Sequence, residues 1–565
     1  MTSSTLHRRD WIFIAVCAVV TVASLLVIAR WFGEAFPEAS IEFEYDRHGS
    51  REIAERHLRA LNLDVAGMKH AVVFESDSIA RIFLERTLGL QRANRVMTDD
   101  VLVWYWRHRW FVPLQEEEYA VEIAPTGELV AFARALPESA AMPSVSADAA
   151  RRAAEVFLIH SGADLTALDL VAQSERNLPA RVQRIFTWES KSIRPGGAPY
   201  RYVATVDGGE VSSFARRLRV PEEWIRGYRE MRSKNEAAGR VDLIFMLVTM
   251  IAALAVFIAR IRRGDMQMRF LLAIGAVTAV LVTGVTLNSF PSALAGYDTT
   301  TSYPAFLAQL LIVTIVQAIG SAMLLIVVCG AGEVLYRERL PQHLAIPKLW
   351  TLRALASKRV FLSLILGYSL VGFFIAYQVA FYIAAAQFGA WAPADIPYDD
   401  ILNTAFPWLA VLFAGFFPAF SEEFLSRAFS IPFFERVLRS RLFAIVLAGF
   451  IWGFGHATYP QQPFYIRGLE VGLAGVLIGL LMYRYGLLAL LIWHYTVDAV
   501  YTSLLLFRSG NTYYVASAAI ASLVFALPLI ASIVLYVRNR GFVPDEDLSN
   551  ATLPLTPPPP PPVEP

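Results

Sequence analysis

Ten apolar stretches of this 565-residue chain are long enough to cross the roughly 30 Å hydrocarbon core of a bilayer, which takes roughly 20 residues of helix. Their approximate limits are 11–30, 241–259, 269–289, 305–330, 360–386, 402–426, 442–458, 467–484, 486–507 and 513–536. In lipid a backbone must satisfy its own hydrogen bonds, so each run has to be a helix. With 56% of residues apolar and 18% charged, a water-soluble enzyme is excluded, and so is disorder outside the C-terminal tail. Fifty basic residues against 49 acidic ones leave a net charge of +1 and no footprint for nucleic acid. The two cysteines, Cys17 and Cys329, both fall within apolar runs, so neither a disulfide framework nor a paired-thiol metal motif is present.

Lys and Arg in short loops mark the cytoplasmic side. Arg8 and Arg9 precede the first run; Arg260, Arg262 and Arg263 follow the second, residues 337–359 the fourth, Arg436, Arg439 and Arg441 the sixth, Arg484 the eighth, and Arg538 and Arg540 the tenth. This alternation predicts a polytopic α-helical membrane protein of about ten transmembrane helices with both termini cytoplasmic, in a bacterial inner membrane. A cleaved signal peptide is the competing reading of the first run. The run ends in Ala29, Arg30 and Trp31 without a small-residue cleavage site, which favours an uncleaved anchor. The expected organisation is an anchor (1–36), an inserted extracytoplasmic soluble α+β domain (37–240), helices two to five (241–400), helices six to ten with the polar motifs (401–540), and a disordered tail (541–565) with prolines unbroken from 557 to 562.

Within the soluble region, the eight residues Gly127 to Arg134 recur 82 positions later as Gly209 to Arg216, five of them identical. Each copy follows an alternating stretch, Tyr119 to Ile123 or Tyr202 to Val206, and a Gly-containing turn, so each reads as a β-hairpin. Helical patterns at Ser146 to Ile159 and Ser78 to Leu88 precede sheet segments. This helix-then-hairpin repeat resembles the PepSY family of extracytoplasmic modules. The plainer reading is a duplicated spacer, and a partner for the domain is the alternative.

Ionisable groups inside a bilayer cost at least about 2.5 kcal/mol each, so those found there are functional candidates. From 401 to 540 the acids are Glu422, Glu423, Glu435, Glu470 and Asp498, and the histidines His456 and His494. Glu435 beside Arg436 and Glu470 near Arg467 are expected at the interface. On a helix, positions four apart share a face, so Glu423 can pair with Arg427 while Glu422 points elsewhere, unpaired; His494 and Asp498 share a face in the same way. An unpaired acid in a low-dielectric site suits a general base. At about 1.5 Å per residue from the nearest cytoplasmic loop, Glu422 lies about 20 Å deep, His456 about 22 Å and His494 about 14 Å, a common level for three helices.

Glu422-Glu423-x-x-x-Arg427, Trp452-x-x-x-His456 and His494-x-x-x-Asp498, in that order on successive runs, resemble the three motifs of the CPBP family of intramembrane proteases, which includes CAAX prenyl-protein endopeptidases and bacteriocin-processing enzymes. The resemblance covers about residues 400–510. It departs at Trp452, where the family usually has Phe, and at Asp498, where Asn is commoner. It implies that Glu422 and His456 activate water for attack on an amide, that His494 with Asp498 stabilises the oxyanion, and that Glu423 and Arg427 orient Glu422. Asp498 would act as a neutral donor or as an anion, the donor role being preferred. No cofactor is needed in the preferred reading; zinc on Glu422, His456 and His494 is the alternative. The implied partners are a membrane protein or peptide substrate and the lipid bilayer. A proton-coupled transporter and a non-catalytic membrane scaffold are the competing functions.

Overall fold

The computed structural model describes residues 5–36, 41, 43–393 and 399–553; the proline run 557–562 lies outside them. The chain leaves a first long helix, α1 (Arg8–Ala35), for a soluble domain: α2 (Arg47–Ala60), β1 (Lys69–Ser76), α3 (Ser78–Leu88), α4 (Leu90–Asp99), β2 (Trp104–Phe111), β3 (Glu118–Ile123), β4 (Leu129–Ala135), α5 (Ala147–His160), β5 (Leu168–Asn177), β6 (Val182–Ser190), β7 (Tyr200–Asp207) and β8 (Glu210–Leu218). The eight strands form one antiparallel sheet in the order β1-β2-β3-β4-β8-β7-β6-β5. The two halves therefore meet as mirror-ordered copies at β4 and β8. Phe132 pairs with Phe214, its own counterpart in the 82-residue repeat, so the duplication passes through the centre of the sheet. Phe157 of α5 covers that pair, with ring centroids 6.1 and 5.3 Å away.

Then comes α6 (Glu222–Arg263), a 42-residue helix that starts four residues after β8 and runs unbroken into the apolar bundle. Residues 222–240, expected in the soluble domain, are its first half. The bundle continues with α7 (Met268–Asn288), the short α8 (Phe290–Ala295), α9 (Tyr303–Arg339), the single turn α10 (Leu352–Leu355), α11 (Lys358–Ala386), α12 (Pro407–Glu422), a π-helical segment (Glu423–Ser430), α13 (Ile431–Leu438), α14 (Arg441–Phe454), α15 (Ile466–Tyr485), α16 (Leu487–Arg508) and α17 (Thr512–Asn539). Every one of the ten apolar runs is helical. Among the described residues eight helices are long and apolar enough to cross a membrane; α17, bent by 47°, makes a ninth when its two arms count as one span. Pro528 lies inside α17 and deprives the preceding turn of an amide donor. The run 442–458 is the exception: α14 has 14 residues and stops at Phe454.

The connections alternate between two rims. On the sheet rim, Arg109 donates to the carbonyls of Ala295 and Tyr297, the Phe74 amide donates to Asn403, and Asn511 to Asp46. The soluble core is continuous there with Ile401, Leu402, Leu505, Leu506 and Tyr514 of the bundle. Ion pairs tie the opposite rim: Lys358 with Asp10, Arg260 and Arg436 with Glu338, Arg339 and Arg441 with Glu435. Residues 541–553, expected in the disordered tail, dock on this rim. Arg359 binds Asp545, Arg353 binds Asp547, and Asn550 donates to the Leu340 carbonyl, so local composition is overridden by long-range cations.

Glycines set the closest helix contact. A Cβ on Gly453 of α14 would stand 2.5 Å from the Gly472 amide nitrogen and 2.6 Å from the Gly468 carbonyl of α15, and one on Gly449 would stand 2.9 Å from the Val476 amide. Only hydrogen side chains allow two backbones this close.

Candidate active site

Three elements converge under the sheet rim. The first is the end of α12 and its π-helical continuation, which begins at Glu423; π turns are uncommon and recur at functional sites. There Glu423 and Arg427 pair at 3.0 Å, as their spacing predicts, with side chains 0% and 1% exposed. The Arg427 guanidinium also lies 3.7 Å from the centroid of the Trp452 ring, where the aromatic face stabilises the buried cation.

Trp452 of α14 stands at the centre. Its ring lies 5.4 Å from His456 and 6.0 Å from His494, and its Nε1–H donates to Glu422 Oε2 at 2.5 Å. Glu422, expected to be unpaired, is thus anchored by an indole donor that a phenylalanine would not supply. His456 is not on a helix, as its run suggests. α14 ends at Phe454 with Gly455 as its C-terminal cap, and His456 sits in the turn beyond. Its Nδ1 lies 3.0 Å from the Trp452 carbonyl, so that nitrogen carries the proton and Nε2 is left as the acceptor.

On α16, His494 turns Nδ1 to Glu423 Oε1 at 2.7 Å. Its Nε2 faces two carboxylates, Glu422 at 3.8 Å and Asp498 at 3.5 Å, too far for good direct hydrogen bonds. Glu422 and Asp498 keep 31% and 26% of their side chains accessible, whereas His494 keeps 7%. The open groups are therefore Glu422 and Asp498, with the buried His494 directing Nε2 at both, and the closed pair Glu423–Arg427 backs them. All six sequence-derived residues lie in or beside this cluster.

Glu470 is a correction. It is fully buried rather than interfacial: Arg467 pairs with it at 2.5 Å, Gln378 donates to it at 3.1 Å, and Tyr501 donates to Gln378 at 2.6 Å. Arg467 in turn lies 5.2 Å from the Tyr459 ring, itself 5.8 Å from His456. Glu435 binds Arg339 and Arg441 on the far rim rather than its neighbour Arg436. Sequence reasoning restricted to 401–540 also misses Asp242 of α6, 4% exposed, whose Oδ2 lies 3.5 Å from where a Gly455 Cβ would be. A census of charged residues in every apolar run finds it. Among the described residues no three His, Cys, Asp or Glu side chains stand close enough together, as placed, to hold a metal ion.

The long apolar helices are those of an integral membrane protein, and they enclose a Glu–His–Asp cluster. Residues 404–500 match the family model described as type II CAAX prenyl endopeptidase Rce1-like, a segment containing Glu422 through Asp498. The match supports CPBP family membership for this segment and, in general, an intramembrane endopeptidase activity. The match does not extend to the soluble domain, and its PepSY resemblance gains no support there. No curated protein and no solved structure matches the chain.

Proposed function

We propose that this protein hydrolyses peptide bonds of membrane-embedded or membrane-adjacent protein substrates, using water activated by Glu422 and His456 without a metal. The observation that carries this reading is the convergence of Glu422 and Asp498, both partly accessible, on His494 Nε2 at 3.8 and 3.5 Å, with neither carboxylate closed onto it in a good direct hydrogen bond. Water placed there loses a proton to Glu422 as its oxygen bonds to the scissile carbonyl carbon. The carbonyl oxygen becomes an oxyanion, held by a proton from His494 Nε2 in its doubly protonated form and by protonated Asp498. The C–N bond then breaks as the proton passes from Glu422 or His456 to the departing amine. Glu423 holds His494 through Nδ1, and Arg427 compensates Glu423.

In this reading both termini and the basic rim face the cytoplasm of a bacterial cell, and the sheet domain lies outside. Comparative proteomics of membranes carrying wild type or Glu422→Gln tests the function. A membrane peptide that accumulates only with Glu422→Gln identifies the substrate; equal turnover by Glu422→Gln rejects water activation at this residue. EDTA leaves the wild-type rate unchanged in the metal-free mechanism, and loss of activity restored by zinc overturns it.

A further inference from the structure

The turn that carries His456 runs from 455 to 465 between α14 and α15. Buried carbonyls need donors, and here they come from the helix that leaves the soluble domain. Asn235 of α6, 0% exposed, directs Nδ2 at three of them: Ala457 at 3.0 Å, Tyr459 at 3.0 Å and Gln461 at 3.2 Å. With two N–H groups for three acceptors, at least one bond is shared. Asn235 Oδ1 accepts from Gln462 Nε2 at 2.6 Å, so both ends of the amide are engaged.

The contact extends along one face of α6. Arg232 donates to the Thr458 and Tyr459 carbonyls at 2.7 and 2.8 Å. At Gly239 a Cβ would stand 2.5 Å from Thr458 Cγ2, and Asp242 lies against Gly455. Positions 232, 235, 239 and 242 follow helical spacing, so a single stripe of α6 grips the turn on both sides of His456.

We infer that Asn235 is a positioning residue for His456, fixing the turn that aims its imidazole at the Glu422–His494 gap. The inference rests on the catalytic reading above and adds a determinant outside residues 404–500. The His456 side chain bonds through Nδ1 to the Trp452 carbonyl and lies beside the Trp452 and Tyr459 rings. The residue that follows it, Ala457, is the first that Asn235 holds. Asparagine suits the task because it supplies two donors and an acceptor on a short, stiff stem; aspartate offers no donor to three carbonyls.

A double-mutant cycle on the full-length chain in phospholipid vesicles tests this. The probe is a quenched fluorescent apolar peptide that wild type cleaves. Asn235→Ala is expected to lower kcat about a hundredfold with KM within about twofold, since a displacement of 1 Å at a reacting group costs about that much. In a His456→Ala background the same change is expected to cost nothing further, because the group being positioned is gone. Hydrogen exchange at residues 455–462 rises while α15 and α16 stay protected. Should Asn235→Ala not insert, Gly239→Ala presses a methyl on Thr458 and carries the same cycle, with about a tenfold loss expected. Equal, multiplicative losses in both backgrounds overturn the positioning role, as does a wild-type kcat. Glu422→Gln, run in parallel, separates the two readings: if it is inactive while Asn235→Ala and Gly239→Ala are not, only the role of Asn235 falls.

Discussion

At the scale of single residues, the site separates groups that meet substrate from groups that hold them. Trp452 belongs to the second kind, since its indole both covers the Arg427 cation and donates to Glu422. Trp452→Phe keeps the ring and deletes the donor. A hydrogen bond to a charged group contributes about 1.5–3 kcal/mol, so single-turnover cleavage is expected to slow at least tenfold with folding intact. An unchanged rate would show that the indole does not steer Glu422. Asp498 poses a different choice, because its carboxyl stands 3.5 Å from His494 Nε2 without a good hydrogen bond to it. If it works as a neutral donor, Asp498→Asn supplies the same donor and cleavage survives. A hundredfold drop, with expression and insertion unchanged, assigns it instead the role of an anion beside His494.

At the scale of elements, much of the architecture is legible because hydropathy and charge alone determine it: all ten apolar runs are helices, and their connections alternate between rims as the arginines predict. Both hairpins of the repeat are present as β3–β4 and β7–β8. What is not legible depends on partners far along the chain. Glu470 looks interfacial from its neighbours and is buried because Gln378, 92 positions away, receives it. α14 stops at Phe454, short of the end of its apolar run, which places His456 in a turn. Gly453→Ala inserts a methyl against the Gly472 backbone, an overpacking that costs about 1–3 kcal/mol. Thermal unfolding should shift downward and cleavage should fall, since Trp452 and His456 flank that position; unaltered values for both would show that the helices can part. In the sheet, His70 Nε2 and His108 Nδ1 lie 3.1 Å apart, and His108 reaches Ser50 at 3.1 Å. Burial, with Arg51 and Arg47 nearby and Glu55 opposing, pulls His70 from its ordinary 6.5 to about 4, and burial pushes His108 down as well. The unfolded chain then takes up protons that the fold refuses. Stability is complete above about pH 6.5 and drains away as pH falls toward 4, which tryptophan fluorescence of the full chain can follow; constant stability across that window would refute it.

At the scale of the whole molecule, the two rims differ in what they expose, and this decides an orientation that can be measured. One rim gathers arginine at the helix ends that meet there (Arg260, Arg262, Arg263, Arg337, Arg339, Arg436, Arg439, Arg441, Arg538 and Arg540), whereas the other rim bears the sheet domain on a continuous apolar core. Positive charge resists translocation, so the orientation to be tested has the arginine rim in the cytoplasm and the sheet domain outside. The native thiols give no background for a labelling test, since Cys17 and Cys329 are 6% and 0% exposed. Glu138, with 73% of its side chain exposed, and Glu546, exposed on the docked segment of the far rim, are suitable positions for single cysteines. In intact cells a membrane-impermeant maleimide is expected to modify Glu138→Cys and to leave Glu546→Cys untouched until the membrane is opened. The reverse pattern would invert the molecule and put the His456 turn, which lies toward the sheet rim, near the cytoplasm.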